Sequence, residues 1–380
     1  MAAGTILYAV LAVLASFIRE DLAMSRAQFG WIVTAYAAVS AASAPVIGRI
    51  TDWVGARAAM LAIFTFSGIG FLLLAAANAY PALIFAVLVI GVGQTLANPA
   101  TNKMIAHEAS GRRRGLITGI KQSGVQAGTF VGGVTFPALA VAIGWRGVPL
   151  LLSFVSALAL LIGWWVLPRH PRERHLRRDA AAAPIPPSTW WIAGYAFLMG
   201  AGGSPVFSFL PLYAIEEVGV SEAVAGLVVG VSALLGVGAR IVWSVGADRR
   251  GEYAWPMVVI SAIAVAAGLA TIAAEPLGVI VLWVSALLGY LSISAWNSVA
   301  MLSIIVEAGP RASGRASGIV MLGFMAGLAI SPPFFGWSVD RYGTYRPGYT
   351  VVTVLFGLAL ITMLGWIRRR SRTSTVADSV

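Results

Sequence analysis

The sequence predicts an all-α membrane protein of twelve transmembrane helices arranged as two pseudo-symmetric six-helix bundles. Three observations carry that expectation. Of 380 residues, 59% are hydrophobic and 11% charged, where soluble domains carry about 25% charged residues. Apolar runs of spanning length, about 20 residues each, recur from end to end between short charged turns and leave no stretch for a soluble domain. The second half then repeats the first at a nearly constant offset.

Hydropathy places the first helix over 3–18. It runs into charged residues with no small-residue cleavage site, so it reads as a retained helix and not a signal peptide. Spans at 27–49, 57–77 and 80–104 follow. The fifth, 115–141, carries two four-residue ladders of small residues, Gly115, Gly119, Ser123 and Gly124, Gly128, Gly132, which let neighbouring backbones approach closely. The sixth, 147–167, completes a first bundle over 1–167. "PRHPRERHLRRDAAAAPIPPS" comes next, a segment whose arginines and prolines mark 168–189 as a solvated linker. The second bundle, 190–367, takes the runs at 190–213, 223–246, 254–274, 277–305, 316–338 and 348–367. Its seventh and eleventh spans enclose the prolines of "GGSPVF" and "SPPFFG", where a lost backbone hydrogen bond bends the helix. The eleventh also carries Gly318, Gly323 and Gly327, and 368–380 is a basic tail.

The net charge of +11 belongs to the loops. With a cytoplasmic amino terminus, the inside loops hold 19 of the 26 Lys and Arg residues, and the outside loops only Arg19, Arg26, Arg146, Arg341 and Arg346. The positive-inside rule then puts both termini in the cytoplasm. No nucleic-acid partner is implied. The chain has no cysteine and its three histidines, His107, His170 and His175, lie in loops. No metal, cofactor or acid/base constellation is therefore expected, which excludes a membrane-embedded enzyme. Short loops and arginine-rich, cysteine-free composition suggest the plasma (inner) membrane of a bacterium.

The repeat aligns "REDLAMSRAQFG" from Arg19 with "IEEVGVSEAVAG" from Ile215, an offset of 215 − 19 = 196 that also pairs Asp52 with Asp248. "GIKQSGVQAG" from Gly119 aligns with "GIVMLGFMAG" from Gly318 at 318 − 119 = 199, which also pairs Asn98 with Asn297. Parallel repeats of this kind characterise secondary transporters with a midplane substrate site at the repeat interface. Trp190, at the start of the seventh span, corresponds to position −6, so the first helix is a turn or two shorter than its partner. Either the true start lies upstream or that helix is thin at one end.

At the end of the second span, "GRITDWVGAR" resembles the loop signature of the major facilitator superfamily, with Asp52, Gly55 and Arg57 carrying the match. "SVGADRRGEY" repeats it through Asp248, Arg249 and Gly251, although Ser244 replaces the leading glycine. "RRRGLITGIKQSGVQAG", including Arg114, is similar to the family's entry into its fifth helix. The resemblance implies a solute transporter working by alternating access, with the two loop aspartates as conformational latches. A monomer is expected.

Two cations remain inside predicted helices. Lys121 lies about 9 Å from the near face, six residues past Gly115, and Arg240 about 12 Å, eight residues before Asp248. Lys121 corresponds to Val320 and Arg240 to Ala44, so neither belongs to the scaffold the halves share. A cation at a helix centre costs at least about 2.5 kcal/mol, and all fifteen acids fall in loops, helix ends or the tail. An anionic substrate would supply the missing charge, the arginine giving a bidentate fork for a carboxylate or oxyanion. The competing account is snorkelling to the interface, or pairing of Arg240 with Asp248 or Glu307. Gln122 and Gln126, which do not repeat, are secondary substrate candidates. Asn98 and Asn297, which do, read mainly as interhelical glue. The expected function is movement of a small anionic solute, with a proton or exchanged anion as coupling partner where transport is coupled. The alternative is an exporter of drugs or neutral metabolites; cationic drugs would call for a membrane acid that the chain lacks.

Overall fold

The computed structural model describes residues 2–108, 113–168 and 184–377. They form thirteen helices and, among the described residues, no strand. These are α1 (Ala2–Val13), α2 (Ala15–Asp21), α3 (Arg26–Val54), α4 (Ala56–Ala75), α5 (Tyr80–Glu108), α6 (Arg113–Ile143), α7 (Gly147–Val166), α8 (Ser188–Glu216), α9 (Glu222–Arg250), α10 (Ala254–Leu277), α11 (Val279–Ile293), α12 (Trp296–Tyr342) and α13 (Arg346–Ala377). Ten stretches among the described residues are long and apolar enough to cross a membrane. The other two expected spans correspond to α3 and to the pair α1–α2.

The helices depart from the expected spans at three places. The first span is broken at Leu14, which leaves helical geometry between α1 and α2. The tenth is broken at Ser294–Ala295, and its second part joins the eleventh in one helical run, α12. Trp296 and Phe324 sit with ring centroids 5.1 Å apart, whereas 28 residues of straight helix would separate them by about 42 Å. The α12 run therefore doubles back on itself. Finally, the expected basic tail is helical to Ala377, because a span already nucleated extends readily through arginines, which are good helix formers. Most of the expected linker, 169–183, lies outside the described residues.

By contacts the chain forms two compact units, Met1–Arg177 with Ser221–Leu234, and Arg178–Val220 with Leu235–Val380. The first part of α9 joins unit 1 because Gly226 and Gly230 lie against Gly133 of α6, so close that a methyl group at Gly133 or Gly226 would overlap the other's carbonyl oxygen. Within unit 1, α1 packs on α6, α3 on α5, and α4 on α5 and α7; within unit 2, α8 packs on α12, and α10 on α11 and α13. The α8–α12 contact is made backbone to backbone: a Cβ at Gly323 would stand 2.5 Å from the Ala193 carbonyl oxygen, and one at Gly327 would overlap that of Phe197. Gly318, expected on the same ladder, has nothing within 4 Å of such a Cβ. In the fifth span the close partner is Gly133, one residue past the anticipated ladder; Gly132 faces Ala9 and Phe136. Pro205 sits inside α8, beside Ser204, whose hydroxyl donates to the Leu328 carbonyl at 3.0 Å.

Several of the matched positions have a structural meaning. Ser25 caps α3 through a reciprocal pair with Gln28, and Ser221 accepts from the Val224 N–H at 3.4 Å as α9 begins. Gly144 and Gly343, 199 residues apart, both hold positive φ, +74° and +70°. Two residues on, each turn is clamped by the end of an earlier helix. Arg146 pairs with Asp21 at 2.8 Å and donates to the Ala77 carbonyl at 3.0 Å. Tyr345 donates its backbone N–H to Glu217 at 3.0 Å and its hydroxyl to Glu216 at 2.7 Å. Asp21 and Glu217 are themselves 196 residues apart, so the clamp recurs with an ion pair in one unit and a tyrosine in the other.

Asp21→Asn is expected to cost under about 1 kcal/mol, an effect that fades in high salt, because the pair is part-exposed and screened. Tyr345→Phe removes a hydroxyl–carboxylate bond from a buried ring and should cost about 1–2 kcal/mol with little salt dependence. Melting curves at low and high ionic strength check both. Gly327→Ala must push α8 and α12 apart and is expected to destabilise by about 1–3 kcal/mol, while Gly318→Ala in the same helix should be neutral or slightly stabilising. Equal melting temperatures for the two variants would contradict the packing described.

Candidate functional site

In unit 2 the membrane arginine is held at a broken helix. Arg240 lies well inside the apolar stretch Glu222–Arg250, half-buried, and its Nε donates to the Ser294 carbonyl at 2.6 Å. That carbonyl sits at the break between α11 and α12. There the backbone bonds tighten to the three-residue pattern, Ala295 N–H to Ser292 O at 3.0 Å and Ser298 N–H to Ala295 O at 3.1 Å. Ser298, whose N–H would serve Ser294 in a regular α-helix, thus bonds elsewhere. Its hydroxyl donates to Ala295 O at 2.7 Å and reaches the Arg240 carbonyl at 3.4 Å. Half-buried Asn297 follows Trp296, which is itself buried against Tyr195 and Phe324.

The serines of "SISAWNS" are the feature sequence reading missed. Ser292, Ser294 and Ser298 each bond back to carbonyls one turn earlier, a habit that bends helices. Three serines and an asparagine within seven residues of an otherwise apolar span were the available signal. On α9, Gly236 stands one turn before Arg240 and lets the helices meet: a Cβ there would lie 2.6 Å from Ser294 Oγ and 3.3 Å from the Tyr290 carbonyl oxygen.

The other sequence candidates fall as follows. Lys121 and Gln122 lie on α6, Asn98 on α5 and Arg114 in the first turn of α6, but their side chains are outside the described residues, as is that of Asp52 on α3. Gln126 is buried, with 6% of its surface exposed. Near Asn98, unit 1 has a ladder of hydroxyls between α3 and α5. Ser40 donates to Gly91 O at 3.2 Å, Thr95 to Ser40 O at 3.2 Å, and Ser43 and Thr95 share a bond at 3.1 Å.

The two signature loops close on glycines with positive φ. Gly55, at +88° with ψ 163°, occupies a region essentially reserved for glycine. Gly251, at +61°, ends α9 in a Schellman motif, with Gly251 N–H to Asp248 O at 3.1 Å and Glu252 N–H to Ala247 O at 3.2 Å. Arg57 donates to the Trp164 carbonyl at 2.5 Å with its guanidinium 5.3 Å from the Trp164 ring centre, so a cation sits at the carbonyl end of α7. Asp248 accepts from Tyr253 at 3.5 Å, and Glu307 meets Ser303 at 3.4 Å and Arg370 at 4.0 Å. Burial, with the Asp248 carboxylate beside it, pushes the Tyr253 phenol above its usual range, so it remains a donor through neutral pH. Arg249 is exposed. Among the described residues no group of three or more His, Cys, Asp or Glu is placed to hold a metal.

Known proteins agree with this architecture. A family model described as Major Facilitator Superfamily matches residues 1–332. A probable sulfoacetate transporter, SauU of Cupriavidus necator, is 23% identical over 93% of this chain and 88% of its own. The hexuronate transporter of Bacillus subtilis is 25% identical over 96% of this chain and 92% of its own. The solved nucleoside transporter NupG superposes with a TM-score of 0.79 at 13% identity, over 96% of this chain and 97% of that one, a likeness of fold alone. With twin signature loops at one offset, helices that repeat their packing and a family model spanning most of its length, the chain belongs to the Major Facilitator Superfamily.

Proposed function

We propose that the chain carries a small anionic solute, a carboxylate or oxyanion, across a bacterial plasma membrane by alternating access, with Lys121 and Arg240 as its positive partners. The carrying observation is Arg240, held well inside an apolar span by a backbone carbonyl. A carbonyl orients a guanidinium and lowers the cost of burying it without cancelling its positive charge, the kind of charge that an anion is suited to meet. The described acids gather at the ends of the spans: Glu216, Glu222, Asp248, Glu275, Glu307 and Asp340. Relatives named for sulfoacetate and hexuronate, both anions, support the same class.

Gln122, Gln126 and Asn297 would supply uncharged contacts, with Asn98 in the repeat-related place. Asp52 and Asp248, together with Arg57, Arg114 and Arg249, act as latches in the signature loops that carry Gly55 and Gly251, one in each six-helix half, with both termini cytoplasmic. The protein works as a monomer, and a proton or a second anion balances the charge moved.

The test is thermal stabilisation of purified protein by acetate, sulfate, glucuronate, sulfoacetate, glucose, uridine and tetraphenylphosphonium, run also on Lys121→Ala and Arg240→Ala. A ligand present at about 100 times its Kd adds about 2.7 kcal/mol to the folded state. One or more of the anions, and none of the other solutes, should raise the wild-type melting temperature, and both substitutions should abolish the rise. Stabilisation of all three proteins by glucose, uridine or tetraphenylphosphonium, with none by anions, would overturn the reading.

A further inference from the structure

We propose that the Ser294 carbonyl is the positioning group for Arg240, delivered to it by the break between α11 and α12 and by the close helix approach at Gly236. The inference rests on the anion reading above and adds to it the residues that aim the cation. Its first ground is geometric. The Ser294 carbonyl lies where the helical ladder shifts from four-residue to three-residue bonds, and Arg240 Nε occupies it at 2.6 Å. Fixing Nε fixes the plane of the whole guanidinium, and with it the direction in which its remaining N–H groups can meet a planar anion. A lysine at this place could spend its ammonium on the carbonyl or on an anion, but offers no rigid fork that does both.

The second ground is a comparison of the two units. Gly236, Tyr290 and Ser294 correspond to Ser40, Gly91 and Thr95, by the offsets 196, 199 and 199. In unit 1 that crossing is stitched by hydroxyls, Ser40 to Gly91 O and Thr95 to Ser40 O, and α5 runs through it unbroken from Tyr80 to Glu108. In unit 2 the stitching serine is replaced by Gly236, Ala44 is replaced by Arg240, and the helix is broken. The crossing itself does not require a break. The break and the arginine occur together, and the carbonyl of one receives the Nε of the other.

The experiment measures apparent Kd for glucuronate and sulfoacetate, by anion-induced thermal shift, in wild type, Arg240→Lys, Gly236→Ala, Ser294→Ala and the double variant Gly236→Ala/Ser294→Ala. Arg240→Lys keeps the charge but loses the pinned fork, and is expected to weaken binding at least about tenfold. Gly236→Ala drives a methyl group into Ser294 Oγ and should weaken it comparably. Ser294→Ala keeps the carbonyl, loses only the hydroxyl's bond to the Tyr290 carbonyl, and should weaken binding less than Gly236→Ala does; combined with Gly236→Ala it removes the clashing hydroxyl and should restore much of the affinity that Gly236→Ala loses. A merely structural glycine would lower the melting temperature of the unliganded protein without this pattern in Kd. Wild-type affinity in Arg240→Lys, or a Gly236→Ala effect no larger than that of Ser294→Ala, overturns the positioning role. Should Gly236→Ala not fold, Arg240→Lys against Ser294→Ala decides alone. An undiminished response in Arg240→Ala, or no response of wild type to either anion, overturns the anion reading itself and the inference with it.

Discussion

In hydrocarbon a backbone carbonyl that leaves the helical ladder has no water to turn to, and the cost of leaving it bare is several kcal/mol. The departures from regular helix described above are legible in those terms. Thr51 O keeps the N–H of Gly55 at 3.0 Å as α3 ends, and the turn after α9 pairs its loose ends within a Schellman motif. At Ser294 the satisfying donor is a charged side chain from another helix. One constraint thus explains both the break and the residence of the arginine, for each removes what would otherwise be a penalty on the other.

The same constraint sorts the charges. Arg57 sits at the carbonyl end of α7, and the carboxylate of Glu252 receives the N–H groups of Ala254 and Trp255 as α10 begins, at 2.8 and 3.2 Å. Both lie where helix dipoles favour their sign. Asp21 and Arg146 are joined at a turn in contact with solvent. Arg240 departs from this order, lying far from the helix end with its Nε on a neutral carbonyl dipole. Arg240 has no counterpart in the repeat, where Ala44 stands in its place.

Much of the fold was readable in advance because its causes are local. Ser25 and Ser221 cap helices, Gly55 and Gly251 take backbone angles other residues resist, and apolar runs of spanning length must be helices; each leaves its mark in a few adjacent residues. What hydropathy could not register depends on where another helix comes to lie. Gly318 and Gly327 look alike in sequence, yet only one meets a backbone. The tight crossing of α6 falls at Gly133 and not at the ladder beside it. The break at Ser294 falls among three serines and an asparagine, but the apolar residues on both sides carry the run past spanning length, so hydropathy marked no boundary there. Arg240 was conspicuous as a charge, whereas its partner, a carbonyl, has no residue type by which to be recognised.

The repeat lets shared structure be separated from acquired chemistry. The two sequence repeats agree in the caps, and the two units agree in the positive-φ glycines and in the clamps on Arg146 and Tyr345, where the agreement survives a change of residue type: an ion pair in one unit becomes a tyrosine with two glutamates in the other. Geometry is conserved there and the means are interchangeable, as expected of scaffold. At the crossing of Ser40 with Thr95, and of Gly236 with Ser294, the helices meet in both units but the outcome differs. One unit spends its hydroxyls on holding the helices together. The other has a glycine in place of the stitching serine and a break in place of regular helix, and is cross-linked through Arg240 to the Ser294 carbonyl and the Ser298 hydroxyl. The arginine thus enters at a crossing that the first unit makes with no charge and no break.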